Sequence, residues 1–180
     1  MSDELDELKE AAERAKESRQ LAPVSLTMAI LAVLVATVSL LGHRAHTEEI
    51  LLQTRAIDKW SYYQAKNLRR NNLEALADVM TALENTKADR AQQVLDRFHK
   101  DIDRYRDEQK EIQNEALELE TEVRQTTSRA NRFDLGEVFL EIALVITSIT
   151  LLTEKRAYWY LGFVFAAIGL AAAVSGLLMH

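Results

Sequence analysis

Residues 43–132 contain neither glycine nor proline, and a long apolar run borders them on each side, at 23–41 and 135–152. This arrangement limits the fold more than any other feature of the chain. Both runs, and a third at 158–179, approach the roughly 20 residues that a helix needs to cross the hydrocarbon of a bilayer. The stretch between the first two is dense in charge and rich in Ala, Leu, Glu, Arg and Lys, the residues that helices accept most readily. The expected fold is therefore an all-α membrane protein: three transmembrane helices, with a long antiparallel coiled-coil hairpin between the first and second.

Composition supports that class once its distribution is considered. The chain is 48% hydrophobic and 28% charged, which resembles a soluble domain only on average, because the two populations are segregated. Five glycines and one proline leave little material for loops. The absence of cysteine removes disulfides and thiolate metal sites. A net charge of −6 argues against nucleic acid as a partner, since that footprint is a basic face.

The expected organisation follows the chain. Residues 1–21 form an amphipathic helix or tail, with Leu5, Leu8, Ala12 and Ala15 in a thin stripe and Glu10–Arg14 as an i,i+4 pair. The first transmembrane helix spans 22–42, with Pro23 in its first turn, where a missing N–H costs nothing. This run is too long, and too far from the start, to read as a cleaved signal peptide. Ser25, Ala29, Ala32, Ala36 and Ser39 place small residues on one face, which lets helix backbones approach closely in lipid.

The extramembrane hairpin occupies 43–132. In its second arm Leu95, Phe98, Ile102, Tyr105, Gln109, Ile112, Ala116, Leu119 and Val123 alternate steps of three and four, a seam of period 3.5. Gln109 is its one strongly polar position. The first arm is less regular: Leu73, Leu76, Met80 and Leu83 form a seam, but 66–72 is polar nearly all round, so the packing face is expected to shift there or meet a hydrated partner. Trp60, Tyr62 and Tyr63 form an aromatic cluster, read as an arm-to-arm packing layer in preference to a ligand platform. The turn is placed near 85–88, where Asn85 suits a helix end and Thr86 with Asp89 resembles a capping box. Each arm would then run about 65 Å at 1.5 Å per residue.

The second transmembrane helix is placed at 133–153, a short loop at 154–157 and the third helix at 158–179. Tyr158, Trp159 and Tyr160 open the third helix as an interfacial aromatic belt. Gly162, Ala166, Gly169, Ala173 and Gly176 form a second small-residue stripe, a natural mate for the first, within one protomer or between protomers. Basic residues of the short segments (Lys9, Arg14, Lys16, Arg19, Lys155 and Arg156) favour keeping those segments in the cytoplasm and the arms on the outer side. Arg44, Arg129 and Arg132 weigh the other way.

Candidate chemistry gathers at one membrane face. Asp134, Glu137 and Glu141 lie at i, i+3 and i+7, with Glu141 about 10 Å inside the apolar run. An intramembrane carboxylate is costly and marks an ion or proton pathway unless it only locks helix packing. His43, His46 and the terminal His180 come to the same side and form a possible metal or proton site, although no His/Glu spacing matches a metal motif. Phosphate loops, nucleophile elbows and zinc-protease motifs are all absent, so no enzyme and no cofactor is expected.

The block Trp-Ser-Tyr-Tyr-Gln-Ala-Lys at 60–66, followed by a long charged helix and two closing apolar helices, resembles a family of small bacterial membrane proteins of unknown function, domain-of-unknown-function family 4337. The resemblance implies a bacterial inner-membrane setting and carries no activity, ligand or functional residue. The leading functional expectation is a non-enzymatic, homo-oligomeric inner-membrane scaffold with a coiled-coil stalk, whose partners are the lipid bilayer, further copies of itself and another helical membrane protein. The alternatives are an oligomeric ion or proton channel using Glu141 and Glu137, and an accessory subunit of a larger membrane complex.

Overall fold

A computed structural model of the chain describes residues 2–83 and 89–179, with 2–20, 89 and 90 described by backbone course alone. The described residues form three helices and no strand: α1 (Ser2–Ala82), α2 (Asp89–Thr153) and α3 (Arg156–Leu178). Each contains a segment long and apolar enough to cross a membrane. The turn expected near 85–88, with Asn85 and Thr86, lies outside the described residues.

The helical course starts at Ser2, so Pro23 sits inside α1 instead of opening it. Its missing N–H leaves one backbone carbonyl without the usual helical donor. The apolar repeat that follows (Val24, Leu31, Val38 and Ala45, seven residues apart) is buried throughout, and its burial outweighs that single loss.

The chain forms two compact units, one made of 1–47 with 125–180, the other of 48–124. In the first unit, all three helices pack around Leu31, Val38, Ala45, Ala130, Phe133, Leu140, Ala143, Ala166 and Ala173. The closest approach is between α2 and α3. A Cβ on Gly169 would lie 2.8 Å from the Gly136 carbonyl oxygen and 2.9 Å from Leu140 Cγ. A Cβ on Gly136 would meet the Gly169 carbonyl at 2.9 Å. The two backbones therefore touch, and only glycine fits at either position.

The small-residue stripes divide accordingly. The α3 stripe is buried against α2, with Gly162 over Thr147, Gly169 over Gly136 and Leu140, and Gly176 over Arg132 and Phe133. The α1 stripe is not its mate within the protomer. Ser25, Ala29, Ala32 and Ala36 are exposed and Ser39 is half-buried, because α1 turns its heptad of larger side chains inward. Larger side chains fill the space between more widely separated helices, so a valine and leucine face serves α1 where glycines serve α3.

α2 ends in a two-residue connection. Glu154 takes φ 56°, the left-handed conformation, and its N–H donates to the Thr150 carbonyl at 2.8 Å. This closes α2 in one step and starts α3 at Arg156, shorter than the loop expected at 154–157.

In the second unit α1 and α2 pack antiparallel: Lys59 meets Glu115, Lys66 meets Glu108 and Arg70 meets Gln109, with numbers rising on one helix and falling on the other. On α2, Leu95, Ile102, Gln109, Ile112 and Ala116 are buried, and Phe98, Tyr105, Leu119 and Val123 half-buried, as a 3.5-residue repeat requires. On α1 the seam differs from the sequence expectation. Ala77 is buried between Leu73 and Met80, whereas Leu76 and Leu83 face outward. The polar stretch at 66–72 is the reason. Its Lys66, Asn67 and Arg70 are half-buried at the seam while Leu68, Arg69, Asn71 and Asn72 are exposed, and the bonds of Lys66 to Glu108 and Arg70 to Gln109 set the phase of the residues that follow.

The polar layer is tightly held. Arg70 Nη1 donates to Gln109 Oε1 at 2.6 Å and Arg70 Nη2 to Asn67 Oδ1 at 2.9 Å. Lys66 sits over the rings of Tyr62 and Tyr105, at 5.3 and 4.9 Å from their centroids. Its hydrogen bond to the Glu108 carboxylate holds its ammonium pKa above the ordinary lysine value. Trp60 packs edge-on to Tyr63 and donates from Nε1 to Glu120 Oε1 at 2.8 Å.

Two outcomes follow. Gly169→Leu forces α2 and α3 apart and lowers stability by about 1–3 kcal/mol, whereas Ala167→Leu on the exposed face of α3 does not; thermal unfolding of the purified chain followed by circular dichroism distinguishes them. Arg70→Leu and Gln109→Leu each strand a buried polar partner and cost about 1–3 kcal/mol, whereas the double variant costs less than the sum of the two. A chemical-denaturation cycle measures that coupling.

Candidate functional site

The first unit carries the acidic groups singled out in the sequence. α2 positions Asp134, Glu137 and Glu141 along one side of its helix, beginning next to the buried Phe133. They do not share one environment. Asp134 and Glu137 are half-buried, and Glu141 is exposed. Burial on α2 falls at Ala130, Phe133, Gly136, Leu140, Ala143, Thr147 and Thr150, which leaves Glu141 on the outer surface beside Val138, Ile142 and Val145.

His46 and Asp134 join α1 to α2. His46 Nε2 and Asp134 Oδ2 lie 3.0 Å apart, with both side chains roughly half accessible. Gly42 lies beside the pair: a Cβ there would sit 3.4 Å from Asp134 Oδ1 and from Phe133 Cβ, ordinary contact distance. The 3.0 Å between His46 and Asp134 is the length of an ordinary hydrogen bond, in which an imidazole N–H donates to the carboxylate oxygen. His43, one turn back on α1, is exposed, and His180 lies outside the described residues. Among the described residues no group of three or more His, Cys, Asp or Glu side chains is placed to hold a metal ion.

Two buried hydroxyls lie on the core face of α2, Thr147 and Thr150. Thr147 is fully buried and donates to the Ala143 carbonyl at 2.7 Å. Thr150, one turn on, is 1% exposed, and its hydroxyl has no hydrogen-bond partner among the described residues. Both positions continue the α2 core repeat through Leu140 and Ala143. A hydroxyl at a core position of that repeat is the signal by which sequence alone could have found them.

In the second unit the arm residues Trp60, Tyr63, Leu95, Phe98, Ile102, Tyr105, Ile112 and Leu119 all lie at the α1–α2 contact, buried or half-buried. Their arrangement is a packing seam crossed by ion pairs, and His99 is exposed away from it. A second apolar stripe lies on the outer side of α1. Ile57, Leu68, Leu76, Val79 and Leu83 are each more than half exposed.

Comparison with known proteins gives a family and no activity. No curated protein and no solved structure matches the chain. The family model described as "Domain of unknown function (DUF4337)" matches residues 20–179, which takes in the second unit, most of the first, the aromatic block at 60–66 and all three apolar segments. The chain belongs to the DUF4337 family.

Proposed function

We infer that this protein is a non-enzymatic scaffold of the bacterial inner membrane, built by association of several copies, with the apolar segments of its three helices in the bilayer and the paired arms of its second unit as an interaction stalk on the outer side. The observation that carries this reading is the outer stripe on α1. Ile57, Leu68, Leu76, Val79 and Leu83 stand exposed at helical spacing after α2 has taken the inner face. An apolar stripe on the free side of a two-helix coil is what a further helix packs against. The exposed Ser25, Ala29, Ala32 and Ala36 support the same reading in the first unit, because small residues let membrane helices of neighbouring copies approach closely.

Light scattering of the detergent-purified chain tests it. The expected mass is a multiple of the protomer. Replacing Leu68, Leu76 and Val79 together by Gln lowers that mass while circular dichroism keeps its helical signature. A protomer-sized mass for the unaltered chain overturns the reading.

Glu141 favours a second reading, an oligomeric ion or proton channel. Its carboxylate is exposed among Val138, Ile142 and Val145, a placement that lipid alone would penalise by several kcal/mol, on the order of 3. Association that turned this face towards a wet axis would relieve that cost. Under this reading, proteoliposomes carrying the protein pass protons or cations and those carrying Glu141→Gln lose at least about tenfold of the flux, the effect of removing one essential charge. Absence of flux in both leaves the scaffold.

A further inference from the structure

A cavity of about 300 Å³ opens in the first unit, lined by Leu21, Pro23 and Val24 of α1, Thr150 of α2, Glu154 of the connection and Arg156 and Trp159 of α3. Four features give it the chemistry of a binding site. Thr150 lines it with a side chain 1% exposed whose hydroxyl lacks a partner among the described residues, an arrangement a folded protein rarely keeps without a ligand or water. α3 begins there with no side-chain cap and no acidic residue in its first turn, so its leading N–H groups and positive dipole end are available to an anion. Arg156 adds a guanidinium, and among the described residues neither it nor Glu154 makes an ion pair. Trp159 is fixed by its Nε1 donating to Thr27 Oγ1 at 3.3 Å and by rings of Tyr160 and Phe163 within 6 Å.

The lining of one cavity thus calls for one anionic and one cationic group. Arg156 and the α3 N-terminus suit a phosphate, and the fork of the guanidinium matches two of its oxygens. The Glu154 carboxylate, swung out of the helical course by its left-handed φ of 56°, suits an ammonium. The apolar wall of Leu21, Pro23 and Val24 suits the carbon skeleton that follows. The cavity lies where α2 ends at Thr153 and α3 begins, beside Tyr158, Trp159 and Tyr160, the level at which headgroups stand if these helices cross a bilayer.

We propose that this cavity binds the ethanolamine-phosphate headgroup of a zwitterionic phospholipid, with the phosphate on Arg156, the α3 N-terminus and the Thr150 hydroxyl, and the ammonium on Glu154. The proposal rests on the membrane reading above but not on the scaffold or channel reading.

Native mass spectrometry of the delipidated full chain, titrated with phosphatidylethanolamine, phosphatidylglycerol and soluble phosphorylethanolamine, tests it. The expected result is one ethanolamine lipid held per protomer, in preference to the glycerol lipid. Arg156→Gln combined with Thr150→Val weakens that binding by roughly tenfold or more, the loss of a charge-assisted contact. Glu154→Gln removes the preference between the two lipids while binding persists. Equal binding of both lipids by the unaltered chain, or no effect of Arg156→Gln in a variant of unchanged circular dichroism, overturns the proposal. Saturation by soluble phosphorylethanolamine as tight as by the lipid also overturns it, because the ligand would then be a free phosphate ester. Fractionation run in parallel separates the two failures: a chain found in the soluble fraction overturns the membrane reading and the lipid site together, whereas a membrane-bound chain without headgroup preference overturns the site alone.

Discussion

The structure depends on one repeat in α2. Steps of three and four residues put Leu95, Ile102, Gln109, Ile112 and Ala116 inside one unit and Ala130, Phe133, Leu140, Ala143, Thr147 and Thr150 inside the other. A period near 3.5 keeps a single face of a long, left-handedly supercoiled helix turned towards its neighbours over many turns. In one unit that face meets α1 alone, through a mixture of apolar and charged groups. In the other it meets α1 and α3, and there the side chains shrink until the backbones of Gly136 and Gly169 touch.

The polar members of this repeat act in different ways. Gln109 is satisfied through its oxygen by Arg70, while its amide nitrogen has no partner among the described residues. Buried polar pairs of this kind add little stability and favour one register over its neighbours, since a slip by one heptad would strand both partners. Thr147 satisfies itself on its own helix, which costs the packing nothing. Thr150 does not, and it borders open space with a guanidinium, a carboxylate and a bare helix start around it. The same repeat therefore sets register at one place and leaves chemistry unspent at another.

Much of the architecture is legible in the sequence. The absence of Gly and Pro from 43–132 announces long helices, and the three apolar runs and the heptad of the second arm need only counting. Other readings depended on phase, which sequence leaves open where apolar residues occur on two faces. Leu76 and Ala77 are both acceptable core residues, and it was the Lys66 and Arg70 bridges to the opposite helix that turned Ala77 inward. The two small-residue stripes are alike on paper, yet α2 takes only that of α3. Glu141 could be assigned a depth along its helix from its number alone, but not the side on which it lies.

Sequence by itself determined the helical class, the segregation of apolar from charged segments and membership of the DUF4337 family. These follow from properties each residue carries alone or shares with neighbours one or two turns away. Only the tertiary structure decided which faces are spent and which remain: His46 against Asp134, α3 against α2, the outer stripe of α1 bare, and a cavity walled by residues from three helices. The physical reason is that a helix of this composition offers more than one face fit for packing, and the choice among them is made by contacts between residues far apart in the chain.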